Sequence, residues 1–232
     1  MRHRIYTRDP LTGAVTIGGE EFHHAARVVR VREGEEIELF DGEGHAASGV
    51  IESITDEALI VRIEKPIDSR EAAIAIDLAM SIIQLEKFEL VLQKATELGV
   101  RSIIPLETDR QEIRAERYRG KDERWKKIIF EATKQSGRAV IAKLEPPTKF
   151  DDLMERENKI VFDADETQTD SVLSPQSSVL LIGPEGGWSE RELIVARDHD
   201  CIFATLGPRR LRAETAAIVA CALLNDRFTR RG

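Results

Sequence analysis

The residue types best suited to chemistry lie in two short motifs near the carboxyl end of the sequence. Residues 181–189 read Leu-Ile-Gly-Pro-Glu-Gly-Gly-Trp-Ser, and residues 206–216 read Leu-Gly-Pro-Arg-Arg-Leu-Arg-Ala-Glu-Thr-Ala. Glycine lets a backbone approach a ligand closely, while glutamate can accept a proton and arginine can stabilise negative charge. The motifs therefore predict two walls of one small-molecule pocket, of which the second carries the reactive side chains.

The elements that must position these motifs are two short apolar segments, at residues 179–182 and 202–206, which predict buried strands. Both segments stop abruptly at Gly-Pro. Ligands of open α/β sheets bind beyond the carboxyl ends of the strands. The pocket is therefore expected where these two strands end.

From residue 72 onward, strand-like and helix-like segments alternate, which predicts a parallel sheet with helices on both sides. Apolar residues recur at helical spacing from Phe88 to Leu98, and Gly99 is predicted to end that helix. Ser189 and Glu192 predict a capping box that opens a later helix. The other predicted elements are strands at 74–83, 102–106, 159–163 and 178–182, and helices through 125–132 and 215–228.

The first 65 residues instead show short strands separated by turn signals, which predicts a small β-barrel. A hairpin signal, Asp-Gly-Glu-Gly, occupies residues 41–44. Residues 20–30 predict a short helix that carries His23 and His24. A polar linker after Pro66 predicts domains at 1–70 and 71–232. The predicted strands cover residues 5–6, 14–17, 36–40, 46–54 and 59–63.

Composition places the chain among soluble globular proteins: its 232 residues are 33% charged and 41% hydrophobic. No apolar run is long enough to span a bilayer, and no apolar stretch follows the basic N-terminus. Two cysteines, Cys201 and Cys221, fit a reducing cytoplasm and are expected to be buried thiols. Neither the cysteines nor the five scattered histidines show metal-site spacing, so no metal is expected.

The charge distribution leaves room for a nucleic-acid partner although the net charge of −8 argues mildly against one. Basic residues cluster in the first 32 residues, between residues 110 and 127, and at the C-terminus. A basic footprint can be local on an acidic protein. For the middle cluster, where acids are interleaved, a solvated helix face is an equal alternative.

Four motif blocks between residues 86 and 216 carry a family resemblance that covers nearly the whole chain. Glu86-Lys87 leads to Gln-Lys-Ala-Thr-Glu-Leu-Gly-Val at 93–100, and Trp125 leads to Gln-Ser-Gly-Arg at 135–138, ahead of the two C-terminal motifs. Together they resemble the RsmE family of SPOUT methyltransferases, which methylate N3 of a uridine in small-subunit (16S) ribosomal RNA. One departure is Thr-Asp-Arg-Gln at 108–111, where the family usually has Ser-Glu-Arg and a small residue.

This resemblance implies an α/β fold in which the C-terminal domain is a SPOUT-type, trefoil-knotted parallel sheet flanked by helices. It also implies a PUA-like, RNA-binding β-barrel at the N-terminus, a homodimer, small-subunit ribosomal RNA as the partner, and S-adenosylmethionine as the cofactor. The expected cofactor-binding residues are Leu181, Ile182, Gly183, Pro184, Glu185, Gly186, Gly187, Leu206, Gly207, Leu211, Arg212, Thr215 and Ala216. The expected RNA-binding residues are Arg2, Arg4, His23, His24, Arg27, Arg30 and Arg138.

The expected catalytic residues are Arg212 and Glu214. Arg212 is expected to contact the target base or its developing oxyanion, with a salt bridge as the alternative. Glu214 is the candidate general base, although a carboxylate at a helix start is favourable anyway. Glu185 is a second candidate base or orienting group, or it binds the ribose or methionine end of the donor. Arg138 either reaches a site from the partner subunit or binds an RNA phosphate, with a surface charge as the alternative.

Two other functions remain open at this point. One is methylation of another RNA target, either a tRNA base or a ribose 2′-hydroxyl. Ribose-methylating relatives tend to show a Ser-Leu-Asn-Val-Ser-type motif where residues 206–216 stand, so base methylation is favoured. The other is a non-catalytic ribosome assembly factor that binds RNA. The sequence identifies neither the target nucleotide, nor the proton acceptor, nor whether naked RNA or an assembled subunit is the substrate.

Overall fold

The computed structural model describes residues 3–72, 74–113, 118, 120–164 and 177–229, so the predicted RNA contact Arg2 lies outside the described residues. Packing divides the chain into two units. The N-terminal unit comprises Met1–Glu71 and Thr133–Ile141, and the C-terminal unit comprises Ala72–Ala132 and Ala142–Gly232. The sequence pattern does not indicate that Thr133–Ile141 belongs with the N-terminal unit.

The N-terminal unit contains a five-stranded sheet in the order β1-β3-β4-β5-β2. Only β1 and β3 pair in parallel, and the other pairs are antiparallel. The predicted β-rich domain is confirmed, and its closure into a barrel stays a prediction. The strands are β1 (Arg4–Tyr6), β2 (Ala14–Ile17), β3 (Glu36–Phe40), β4 (Ala46–Ile54) and β5 (Leu59–Pro66).

The predicted helix at residues 20–30 is present in two parts. Helix α1, Gly19–His23, continues into a wider π-helical segment, His24–Val29, which ends at Arg30 with φ 61°. Phe22 and Ala25 are buried in the core of the sheet, because they face it from the same side of the helix. The other side of the helix therefore faces solvent.

The C-terminal unit contains a seven-stranded sheet in which all the pairings are parallel. Its order is β12-β10-β11-β6-β7-β8, and β9 also pairs with β7. The central strands are buried on both faces, which explains their nearly continuous apolar sequences. The strands are β6 (Ala75–Ser81), β7 (Ser102–Glu107), β8 (Lys143–Leu144), β9 (Thr148–Lys149), β10 (Lys159–Phe162), β11 (Ser177–Ile182) and β12 (Ile202–Ala204).

Helices between these strands confirm the predicted α/β organisation. Helix α2 packs against α6, where Asn225 Nδ2 donates a hydrogen bond to the Leu98 carbonyl oxygen at 3.1 Å. The short elements β8, β9 and α4 were not predicted, because two to four residues are too few to show a periodicity. The helices are α2 (Leu85–Glu97), α3 (Asp122–Ser136), α4 (Phe150–Leu153), α5 (Glu190–Asp198) and α6 (Ala213–Thr229).

The described ranges contain neither a candidate membrane span nor a candidate metal site. Within those ranges, no helix combines the length and the apolar character that crossing a membrane requires. No group of three or more His, Cys, Asp or Glu residues within the same ranges has the arrangement of a metal site. Of the two thiols, Cys221 is buried as predicted, whereas Cys201 is half-buried.

Candidate functional site

The main cavity of the C-terminal unit, of about 710 Å³, lies at the carboxyl ends of β10, β11 and β12. Both C-terminal motifs line it, as the prediction of two walls requires. Of the predicted cofactor residues, Leu181 is instead fully buried in the core, and Gly207 and Thr215 are exposed outside the lining. The predicted residues that do line the cavity are Ile182, Gly183, Pro184, Glu185, Gly186, Gly187, Leu206, Leu211, Arg212 and Ala216.

The first wall is a tight turn held against a buried tryptophan. The Gly187 amide donates to the Pro184 carbonyl oxygen at 2.9 Å, and Gly187 has φ 70°, a conformation that favours glycine. The ring of Trp188 covers Gly183 so closely that an added Cβ would lie 3.1 Å from it. The glycines therefore set both the turn and the depth of the wall.

Helix α5 begins directly after this wall with the predicted capping box. The Ser189 hydroxyl accepts from the Glu192 amide at 3.1 Å, and the Glu192 carboxylate accepts from the Ser189 amide at 2.8 Å. Asp109, in the loop after β7, accepts hydrogen bonds from the Arg191 guanidinium at 2.9 Å and from the Ser189 hydroxyl at 2.6 Å. The Arg191 bond is the main cause that lowers the pKa of Asp109. This network fixes the loop at 108–111 beside the first wall.

Arg110 is a lining residue that the sequence analysis did not select. Its guanidinium donates to the Gly186 carbonyl oxygen at 3.3 Å, and its own main chain lies 3.3 Å from where a Cβ on Gly186 would stand. Its position in the loop after β7 could have indicated that it lines the cavity, because all strands of a parallel sheet end at the same edge. It lies in the segment where the sequence departs from the family pattern.

The second wall begins helix α6 and carries the predicted catalytic residues. The Arg212 carbonyl oxygen accepts from the Ala216 amide at 2.8 Å, so Arg212 lies just before the helix, and its side chain is exposed. Glu214 lies in the first turn. Its Oε2 atom is buried and has no hydrogen-bond partner among the described residues. The wall therefore presents a cation and a half-buried carboxylate two residues apart.

A lysine connects the two walls electrostatically. Lys87, in the first turn of α2, donates to Glu185 Oε1 at 2.8 Å. That hydrogen bond is the main cause that raises the pKa of Lys87, and the charge of Glu214 acts in the same direction while that of Arg212 opposes it. Glu185 and Arg212 line the cavity, whereas Lys87 and the predicted base Glu214 are not among the lining residues and lie beside it.

The predicted RNA contacts of the N-terminal unit divide into an exposed and a buried group. His23, His24, Arg27 and Arg30 are all exposed on the helix and at its end. Their geometry is compatible with the predicted role, which stays a prediction.

Arg4 and Arg138 form the buried group. Arg138 is 3% exposed and donates to the Glu71 carboxylate at 2.8 Å. Arg4 donates to the carbonyl oxygens of Gly137 and Arg138 and pairs with Glu38 at 3.3 Å. Burial lowers the pKa of Arg4, with the charge of Glu38 opposing it. Both arginines therefore contribute to the packing of this unit, and their predicted RNA contact stays a prediction.

Comparisons with known proteins decide the family. The protein-family model of the "RNA methyltransferase domain" matches residues 70–225, and the family model of the "RNA methyltransferase PUA domain" matches residues 17–64. The chain is 32% identical over 227 residues to the ribosomal RNA small subunit methyltransferase E of Bacillus subtilis, which covers 90% of this chain and 89% of that protein. The chain belongs to the RsmE family of RNA methyltransferases.

Other RsmE proteins extend the similarity. That of Rickettsia conorii is 31% identical over 209 residues, covering 86% of this chain and 84% of that protein. The solved structure of Neisseria gonorrhoeae RsmE, bound to S-adenosylmethionine, is 28% identical with a TM-score of 0.87 and covers 98% of both chains. A Legionella pneumophila methyltransferase structure with the same cofactor is 33% identical, with a TM-score of 0.85 and 98% coverage of both chains. These matches confirm the predicted parallel-sheet fold with a PUA-like domain, whereas the trefoil knot stays a prediction.

Proposed function

We propose that this RsmE-family chain transfers a methyl group from S-adenosylmethionine to N3 of a uridine in small-subunit ribosomal RNA. The observation that carries the proposal is the main cavity, where both family motifs meet and Arg212 stands exposed at the rim. The relatives named ribosomal RNA small subunit methyltransferase E support the substrate class. The cofactor-bound neighbours support the donor.

The residues of the cavity fit S-adenosylmethionine. A volume of about 710 Å³ is within the range of small-molecule sites. Ile182, Leu206 and Leu211 offer apolar contacts to the adenine, and the backbone of residues 183–187 offers polar groups to it and to the ribose. Next to the lining residue Ala213, the buried Glu214 Oε2 lacks a partner among the described residues, which fits a carboxylate that meets its hydrogen-bond donor in the complex. When bound, this cofactor supplies a methyl group on an electrophilic sulfonium.

The chain's own residues must activate a poor nucleophile. The N3 proton of uracil is weakly acidic, and the nitrogen lone pair is delocalised into two flanking carbonyl groups. In our proposal the Glu214 carboxylate accepts this proton as a general base. Arg212 donates hydrogen bonds to a flanking carbonyl oxygen, where negative charge develops as the proton leaves. The walls of the cavity hold the reacting atoms in line, which is a large part of such catalysis.

RNA recognition is assigned to a PUA-like domain at residues 1–70, and catalysis to a knotted SPOUT domain at residues 71–232. The two family models, which cover 17–64 and 70–225, support this division. His23, His24, Arg27 and Arg30 are proposed to contact RNA because they are exposed together on one helical segment. A cytoplasmic location follows from a ribosomal RNA substrate.

A homodimer is the proposed active form. Leu90 on α2 and Leu223 on α6 are 41% and 54% exposed, so each helix presents a large apolar side chain that a partner subunit could cover. They lie on α2 and α6, whose apolar faces are candidates for the interface, although the two helices also pack against each other within the chain. Replacement of Leu223 by Glu should therefore produce a monomer in sedimentation, with loss of methyl transfer. Full activity of a proven monomer would contradict the proposal.

The alternative of a non-catalytic assembly factor makes a different prediction for cofactor binding. Calorimetry should show that the wild type binds S-adenosylmethionine and that Gly186→Trp, which fills the cavity beside Arg110, does not. Methyl transfer to small-subunit particles and to their extracted RNA then tests activity and identifies the preferred substrate. Tight RNA binding by a wild type that binds no cofactor would favour the assembly factor instead.

A further inference from the structure

Lys87 forms an ion pair with the first wall of the main cavity. Its Nζ donates to Glu185 Oε1 at 2.8 Å, between residues that are 98 positions apart in the chain. The Lys87 side chain is 27% exposed and that of Glu185 is 35% exposed, so solvent partly screens the pair. The contact joins the first turn of α2 to the loop that follows β11.

Arg212 is one of several arginines in the cavity lining, and it lies outside this ion pair. Arg212 is exposed, and among the residues that the structure describes no carboxylate forms an ion pair with it. Both Glu185 and Glu214 nevertheless lie close enough to the same lysine for their charges to act on it. Lys87 and Arg212 can therefore compete for the carboxylates of Glu185 and Glu214.

Arginine would be the stronger partner for either carboxylate. Its planar guanidinium can donate two parallel hydrogen bonds to a carboxylate, which the ammonium of lysine cannot do. A Glu185 carboxylate released from Lys87 would consequently be drawn to Arg212. An Arg212 side chain held in that way could no longer donate to a substrate.

We propose that Lys87 is a positioning residue, which holds Glu185 in an ion pair and thereby keeps Arg212 available to the target base. The inference rests on the proposed function, in which Arg212 contacts the uracil. Lys87 acts only through Glu185 and need not touch the substrate. Since partly exposed ion pairs add little to stability, its removal should leave the fold intact.

A double-mutant cycle on methyl transfer tests this role. Lys87→Met keeps the length of the side chain and removes its charge, Lys87→Arg keeps the charge, and Glu185→Gln removes the anion. The matched control is Lys94→Met, because Lys94 lies on the same helix and pairs with Glu97 at the same 2.8 Å. Rates are measured at saturating S-adenosylmethionine, so that changes in cofactor affinity do not contribute.

Lys87→Met should lower kcat by about tenfold, which is less than the roughly hundredfold or greater loss expected on removal of a donor to developing charge, because Arg212 is diverted and not deleted. Lys87→Arg and the control Lys94→Met should remain within about twofold of the wild type. In the Glu185→Gln background, Lys87→Met should have almost no further effect. An equal loss in both backgrounds would show that Lys87 acts directly on the RNA, and full activity of Lys87→Met would also overturn the proposal.

A structural measurement separates this inference from the function on which it rests. In a crystal structure of Lys87→Met, the Arg212 guanidinium should lie within about 4 Å of the Glu185 carboxylate. An Arg212 side chain that stays unpaired would overturn the positioning role even if the enzyme is active. A wild type without methyltransferase activity would instead refute the proposed function, whatever the crystal shows.

Discussion

The Trp188 indole nitrogen donates a hydrogen bond to the Phe162 carbonyl oxygen at 3.0 Å, which ties the first wall of the main cavity to the end of β10. The same ring lies beside Phe150, with ring centroids 5.4 Å apart, and is 4% exposed. Trp188 therefore cannot move away easily. The shape of the wall at Gly183 depends on this fixed ring.

Gly183→Ala should weaken cofactor binding for this reason. The new Cβ would stand 3.1 Å from the Trp188 ring, tighter than normal contact, so the wall must shift. We expect S-adenosylmethionine to bind about tenfold more weakly and the free energy of unfolding to fall by about 1–2 kcal/mol. Calorimetry and chemical denaturation measure the two effects.

Gly18→Ala is the matched control for this substitution. Gly18 has φ −117°, and the nearest atom to its added Cβ is 3.8 Å away, which is an ordinary contact. This variant should bind the cofactor as the wild type does. Unchanged cofactor affinity in Gly183→Ala would mean that the first wall does not contact the cofactor.

Arg138→Met should destabilise the N-terminal unit. The Arg138 side chain is 4% exposed and pairs with Glu71, so its removal leaves a carboxylate without its cation. The expected loss is about 3 kcal/mol in the free energy of unfolding. The exposed pair of Arg62 and Glu52 supplies the control, since Arg62→Met should cost less than about 1 kcal/mol.

The same variant tests whether Arg138 also binds RNA. If its role is structural, folded Arg138→Met at low temperature should bind RNA with unchanged affinity and an unchanged dependence on salt. A shallower salt dependence would indicate a lost phosphate contact, because each such contact releases counterions. That outcome, with wild-type stability, would support the predicted RNA contact of Arg138.

Asp109 should contribute stability that depends on pH. Its hydrogen bond from Arg191, aided by Ser189, lowers its pKa below the ordinary value of 3.8. A lowered carboxyl pKa gives stability that is present above the ordinary value and is lost as the pH falls through the folded value. Because both side chains are more than a third exposed, we expect less than about 1 kcal/mol at pH 7.

Denaturation of wild type and Asp109→Asn between pH 7 and pH 3 measures this contribution. The wild type should be the more stable at neutral pH, and the difference should shrink in the acid part of the range. A difference that stays constant over the whole range would contradict a role for the Asp109 charge.

The two thiols should differ in reactivity. Burial raises the pKa of Cys221 to about 12 and that of Cys201 to about 11, which leaves little thiolate at neutral pH. Alkylation of the folded protein at pH 7.5 should therefore be slow at half-buried Cys201 and undetectable at Cys221 until unfolding. Mass spectrometry of the alkylated protein locates the label, and rapid labelling of Cys221 would contradict the buried position.

Local signals were sufficient to predict much of the fold. The capping box depends on Ser189 and Glu192, three residues apart, and the helix end at Gly99 depends on one residue that adopts φ 86°. The main cavity was also predictable, because the parallel strands that precede the two Gly-Pro turns must end at the same edge of the sheet, although β12 ends at Ala204, before the predicted Leu206.

Contacts between distant residues could not be predicted in the same way. The pair of Lys87 and Glu185 depends on the order of strands in the sheet, which no periodicity encodes. The inward position of Arg138 depends on Glu71, 67 residues earlier, so a basic residue in a motif that resembles the family's was interpreted as an RNA contact. Arg110 was missed because it follows its strand without a glycine signal.

The most direct test of the proposed function is the identity of the methylated nucleoside. Small-subunit particles that lack the modification are incubated with labelled S-adenosylmethionine and the enzyme, and the digested RNA is separated by chromatography. We predict label in 3-methyluridine, with the rate reduced at least about a hundredfold in Arg212→Ala. Label in a ribose-methylated nucleoside, or no label from an enzyme that binds the cofactor, would contradict the assignment.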